Sequence, residues 1–150
     1  MDQSMILNML LEAYRDEREA DAFYTALLSQ TEDYEAVEAL AEARRDERKH
    51  ARIIRDLILA LAESPPQETT PQLPAYTSFE DAIRIALADE RQAVEFYGSI
   101  INVAQDARIR DAFIAIREDE IVHALKFEAL LYELQEENTP APKPGYSPEL

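Results

Sequence analysis

Two halves of this chain repeat one another at a fixed offset of 73 residues, and that repeat limits the fold more than any other feature. Asp16, Glu17, Arg18, Ala20, Phe23 and Tyr24 fall on Asp89, Glu90, Arg91, Ala93, Phe96 and Tyr97. Further along, Arg44, Asp46, Glu47, His50 and Ala51 fall on Arg117, Asp119, Glu120, His123 and Ala124. One offset serves both stretches, so the second half is a diverged copy of the first. A pseudo-twofold axis between two similar units is the expected consequence.

Each unit reads as a pair of amphipathic helices. Leu7, Leu10, Tyr14, Tyr24 and Leu28 share one face of a helix over about 4–30, and Val37, Leu40, Ile54, Ile58 and Leu61 share one over about 33–62. A third helix starts near Ser78, a good N-cap, with Phe79, Ile83, Ala86, Tyr97 and Ile101 in line. The fourth starts near Asp106 and aligns Ile109, Phe113, Ile116, Phe127, Leu130 and Leu134. With 2 glycines in 150 residues, the frequent turns of a sheet are disfavoured. Tight connections near Thr31-Glu32 and Gln105 make each unit a helical hairpin. The expected fold is therefore all-α: a four-helix bundle of two repeated hairpins.

Between the hairpins, residues 63–77 hold Pro65, Pro66, Pro71 and Pro74, which favour extended chain. At about 3.1 Å per residue that segment reaches roughly 45 Å. A helix of about 28 residues is roughly 42 Å long. The connection can thus cross the whole bundle, or reach a second subunit and swap a hairpin. The bundle is expected over 1–135. A tail over 136–150, with the other four of the 8 prolines, has no apolar face and is expected to be mobile.

Acids outnumber bases 31 to 15, for a formal net charge of −16, which repels phosphate backbones and anionic membranes. No basic segment precedes an apolar run at the N-terminus, and the longest apolar run, Leu57 to Ala62, cannot span a bilayer. A soluble, cytoplasmic protein is expected, without nucleic-acid or membrane partners. Self-association to a homodimer, which the long connection allows to be domain-swapped, is the expected assembly. Zero cysteines exclude a disulfide scaffold, a thiol nucleophile and thiolate-bound metal.

Some of the acids fall where a core should be. Glu17 lies seven residues after Leu10 and seven before Tyr24, inside the apolar stripe, and Glu90 stands likewise between Ile83 and Tyr97. Glu47 lies between Leu40 and Ile54, with His50 one turn on; Glu120 and His123 repeat this between Phe113 and Phe127. Four ionised carboxylates in an apolar interior need neutralising, and no basic residue recurs on the inward stripe of both halves. Two divalent cations would bring the sum to zero, and oxygen with imidazole donors suits iron or manganese. One glutamate from each of two helices plus Glu-x-x-His from each of the other two is the ligand set of four-helix di-iron carboxylate proteins. A single Glu-x-x-His is usually a solvated pair; here both histidines of the chain sit in that motif.

On these residues the chain, over about 4–135, resembles the rubrerythrin di-iron domain of the ferritin-like superfamily. The resemblance implies a ferritin-like bundle with two iron ions, manganese or a mixed pair being open to the same donors. Glu17 and Glu90 match the single-glutamate ligands; Glu47 with His50 and Glu120 with His123 match the two paired motifs. Tyr24 and Tyr97 match tyrosines that hydrogen-bond to ligand carboxylates, although buried tyrosines with a satisfied hydroxyl are also ordinary core residues. Many rubrerythrins carry an extra glutamate one turn after the third-helix ligand, whereas this chain has Ala93 there, mirroring Ala20, which makes the site more symmetrical. The implied function is a di-metal oxidoreductase, a peroxidase of rubrerythrin type, reducing hydrogen peroxide or dioxygen with electrons from a separate donor. Iron oxidation for storage or detoxification, or a structural bundle stabilised by metal, are the alternatives. Asp46 and Asp119, four residues before the histidines, could orient an imidazole, but surface salt bridges to nearby arginines are the expected role.

Overall fold

Four helices, α1 (Gln3–Leu28), α2 (Tyr34–Ala62), α3 (Phe79–Val103) and α4 (Ala107–Glu137), make up the computed structural model, which describes residues 2–140. Each starts where a short polar side chain can take an otherwise unpaired amide. Asp2 accepts from the Ser4 N–H, Asp33 from Ala36, Ser78 from Asp81 and Asp106 from Arg108. α2 ends at Glu63, whose φ of 56° turns the chain out of the helix and into the proline-rich segment. The helix bounds follow the apolar periodicity closely. α4 runs to Glu137, two residues into the segment assigned to the tail, and from residue 141 that tail lies outside the described residues.

The interior has two apolar clusters separated along every helix by a polar layer. One holds Phe23, Leu27, Ala36, Leu40, Ile83, Ala86, Phe127 and Leu130. The other holds Leu10, Tyr14, Ile54, Ile58, Ile100, Ile109, Phe113 and Ile116. Along α1 and α4 the chain passes from the second cluster to the first, whereas along α2 and α3 it passes from the first to the second. So α1 runs parallel to α4 and α2 to α3, and the segment after α2 must travel the length of the bundle. It does so along α1: Tyr14 Oη donates to Glu68 at 2.7 Å, Arg18 donates to the Thr69 carbonyl at 2.9 Å, and Tyr76 packs on Phe23 with ring centroids 6.0 Å apart. The all-α bundle of two hairpins with one long crossover is the architecture the repeat implied. Among the described residues, no helix is long and apolar enough to cross a membrane.

Phe113 anchors the second cluster, fully buried and edge-on to Tyr97 with centroids 5.2 Å apart. Phe113→Ala is expected to cost about 3–5 kcal/mol in denaturant unfolding of the metal-free protein. A loss below about 1 kcal/mol would mean that this end of the bundle is not tightly packed.

Candidate metal centre

Glu17, Glu47, His50, Glu90, Glu120 and His123 are the buried polar or charged residues among those described, each no more than 2% exposed. Each sits at mid-helix, one or two turns from apolar neighbours that fix its direction, so all six converge in the layer between the two clusters. They form two quartets, Glu17–Glu47–His50–Glu120 and Glu47–Glu90–Glu120–His123, whose ligand atoms lie within 4.8 Å of one another. Glu47 and Glu120 belong to both. The quartets exchange under the pseudo-twofold, because Glu47 and Glu120 are themselves equivalent positions of the repeat.

The unpaired atoms bear on what the layer can hold. Glu17 Oε2, Glu47 Oε1, His50 Nδ1, Glu90 Oε2, Glu120 Oε1 and His123 Nδ1 are buried without a hydrogen-bond partner, one from each of the six residues. His50 Nδ1 lies 3.1 Å from Glu120 Oε1 and 3.5 Å from Glu17 Oε2; His123 Nδ1 lies 3.3 Å from Glu47 Oε1 and 3.6 Å from Glu90 Oε1. A buried orphan polar atom is costly. Six facing one another, each able to donate a lone pair, could hold two cations.

The hydrogen bonds that the layer does make each cross between the two halves of the chain. Tyr24 on α1 donates to Glu90 Oε1 on α3, and Tyr97 on α3 donates to Glu17 Oε1 on α1. His50 Nε2 pairs with Asp119 Oδ2 at 2.8 Å, and His123 Nε2 with Asp46 Oδ2 at 2.9 Å. An ionised carboxylate only accepts, so these bonds put the imidazole hydrogen on Nε2 and turn Nδ1 toward the glutamates. The surface salt bridge expected of Asp119 is thereby corrected, whereas the one expected of Asp46 is formed and is joined by a second role. Asp119 serves His50, and Asp46 serves His123 while also meeting Arg45 at 3.2 Å. A carboxylate behind a metal-binding histidine is a recurrent means of fixing ring and tautomer. The signal was in the sequence: the Asp-x-x-x-His spacing recurs in both halves, but each aspartate acts on the opposite helix.

Protonation follows from burial and crowding. Burial, then repulsion from the other carboxylates, holds Glu47 and Glu120 well above the ordinary carboxylate range. Burial also pushes Glu17 up, but the His50 imidazole beside it outweighs that and keeps it below its usual value. Burial would lower both histidines; instead Glu17 and Asp119 raise His50, and Glu90 and Asp46 raise His123. Burial and then the Glu90 charge push Tyr24 well above its usual range, and burial with Glu17 does the same to Tyr97. Both hydroxyls therefore keep their protons and act as fixed donors.

The two faces of the layer differ. Toward α2 and α4 it is backed by the histidines and their aspartates. Toward α1 and α3 it opens into a cavity of about 520 Å³, with Glu47, Glu90, Glu120 and the two tyrosines among its lining residues. Ala20 and Ala93 also line it, so the short side chains noted in the sequence leave room where a longer acid would project.

Two outcomes are expected. Removing Asp119 leaves the His50 Nε2–H unpaired, so Asp119→Ala should weaken Mn²⁺ or Co²⁺ binding by about 10–100-fold in calorimetry. Four groups with raised pKa values bind more protons folded than unfolded once the pH exceeds their ordinary values, 4.5 for the glutamates and 6.5 for the histidines. Metal-free protein should thus melt lower at about pH 8 than at about pH 5.5, and metal binding should release protons, measurable as buffer-dependent binding heats.

Comparison with known proteins follows the same lines. A DNA protection during starvation protein of Pyrococcus furiosus is 28% identical over 163 residues, covering 99% of this chain and 88% of the relative. Mycobacterium tuberculosis bacterioferritin BfrA superimposes with a TM-score of 0.74 at 23% identity, over 87% of this chain and 86% of that one. A two-domain Anabaena variabilis protein containing DJ-1/ThiJ/PfpI-like and ferritin-like domains superimposes with a TM-score of 0.75 at 17% identity; the match takes in 99% of this chain but 42% of that protein. These superpositions establish the ferritin-like fold. Residues 8–131, which contain all four helical segments that bear the six converging side chains, match the rubrerythrin family, and the chain belongs to it.

Proposed function

We propose that this chain is a di-iron carboxylate oxidoreductase that reduces hydrogen peroxide or dioxygen. Glu17, Glu47, His50, Glu90, Glu120 and His123 would hold the two iron ions, Glu47 and Glu120 being the residues common to both quartets. The observation that carries this reading is the set of six partnerless donor atoms facing one another in a buried layer whose outer glutamates and imidazoles are each held by a hydrogen bond from the opposite half. Two iron ions held there would supply one electron each, which with two protons is what the reduction of one hydrogen peroxide to two waters requires.

The protein's part is to hold that chemistry in place. Glu47 and Glu120, shared between the quartets, keep the two positions adjacent. Tyr24 and Tyr97 fix the outer glutamates, and Asp46 and Asp119 fix the imidazoles, so few side chains must reorganise between oxidation states. The clusters above and below close the layer to water along the helix axes, and the α1/α3 cavity gives a small oxidant a way in. These 150 residues hold no cysteine and hence no thiolate-bound iron centre, so the electrons come from a centre outside them.

A second reading, iron oxidation in a protective or storage role, draws support from the relative named as a DNA protection during starvation protein. Direct contact with DNA is disfavoured for this chain by its net charge of −16. Manganese suits the same donors, so metal analysis belongs with the kinetics. Stopped-flow mixing of the anaerobic Fe(II) protein should give a faster rise of ferric absorbance with peroxide than with dioxygen. A faster rise with dioxygen, in a large multi-subunit assembly, would instead favour the second reading. Glu47→Ala and Glu120→Ala should each lose two-metal occupancy, and two ions per chain in elemental analysis of either variant would remove that residue from the ligand set.

A further inference from the structure

The cavity between α1 and α3 reaches three of the six donors, Glu47, Glu90 and Glu120, and the charge of its lining is of one sign. Beside the floor of the α1/α3 cavity, its lining includes Glu12, Asp16, Glu19 and Asp89, with no lysine or arginine among the lining residues. Of these four acids only Asp16 has a basic neighbour within ion-pair reach among the described residues, Arg15 at 4.0 Å, at the edge of that reach. Asp16 and Asp89 are equivalent positions of the repeat, one on each wall. The walls between rim and floor are Phe23, Phe96, Ala20 and Ala93, and Gln72, Leu73 and Pro74 of the crossover add a further side.

An acidic rim alone says little, because a chain with a net charge of −16 has acids on most of its surface. The floor supplies the second observation. Glu47, Glu90 and Glu120 line this same cavity, are at most 2% exposed, and each has one oxygen there without a partner. Carboxylates at the mouth, apolar walls of low dielectric and unpaired carboxylate oxygens at the end make a field that concentrates cations and repels anions. The dimensions suit a cation that still carries its water. Six waters at roughly 30 Å³ each occupy on the order of 200 Å³, well within the 520 Å³ available.

We infer that the α1/α3 cavity is the route by which hydrated divalent cations reach the six-residue layer, with Asp16, Glu19 and Asp89 as guiding carboxylates that do not themselves remain as ligands. The inference rests on the ligand set proposed above. Guidance differs from ligation in what it changes: it raises the rate of loading and its sensitivity to salt, and leaves the final stoichiometry alone.

The test is stopped-flow loading of the metal-free full chain with Co²⁺, a redox-inert probe followed by its visible absorbance, at several ionic strengths. In the triple variant Asp16→Asn, Glu19→Gln, Asp89→Asn the loading rate at low salt should fall about tenfold and depend less on salt, with two Co²⁺ still bound per chain. A control with the same change in net charge far from the cavity, Asp56→Asn, Asp111→Asn, Glu136→Gln, should load at the wild-type rate. Ala93→Trp, which fills the cavity without altering charge, should load slowly at every salt concentration. Unchanged rate and salt dependence in the triple variant, an equal loss in the control, or wild-type loading by a folded Ala93→Trp protein would each overturn the route. Fewer than two Co²⁺ bound by the wild type would overturn the ligand set, and the route with it.

Discussion

Withdrawing four carboxylates from water into the middle of a helical bundle is the constraint to which the rest of this molecule answers. An isolated ionised carboxylate in an apolar interior is prohibitively unfavourable, and four within reach of one another add mutual repulsion. The structure offsets this in stages. Two tyrosine hydroxyls bond to the outer glutamates, and two imidazoles lie between the carboxylates. Two aspartates nearer the surface hold the imidazoles from behind. What remains is one unpaired donor atom on each of six side chains. Large apolar clusters on both sides of the layer supply the packing that keeps such a layer together.

Duplication makes that arrangement economical in sequence and interlocked in space. Each half supplies one single glutamate and one Glu-x-x-His, but neither half supports its own donors. Tyr24 holds Glu90 while its equivalent Tyr97 holds Glu17, and the aspartates cross between α2 and α4 in the same way. The axis relating the halves exchanges α1 with α3 and α2 with α4. It therefore maps the α1/α3 face onto itself and the α2/α4 face onto itself, and the two faces are free to differ. One is backed by the histidines and aspartates, and the other opens into the cavity. A symmetrical centre with two unlike faces is compatible with that placement of the axis.

Much of this was legible in the order of residues, for a definite reason. Helical periodicity reports which way a side chain points relative to its own helix axis, so inward glutamates at Glu17, Glu47, Glu90 and Glu120 stand out against an apolar stripe. The repeat doubled a weak motif into a strong one, and the proline-rich segment was long enough to allow a full crossing of the bundle. For Asp46 and Asp119 the imidazole role was ranked second to arginine salt bridges, because periodicity is blind to the neighbouring helix. On their own helices they sit beside arginines, and only the packing of α2 against α4 shows each facing the other's histidine.

Sequence alone determined the four helices, their pairing into two hairpins and the six inward donors, because each of these depends on local spacing along the chain. Tertiary structure decided which two glutamates the quartets share, which ring nitrogen faces them, which half supports which, and which face lies open. Those features depend on distances between helices that are remote in sequence, set by how the apolar clusters pack and by the path of the crossover along α1.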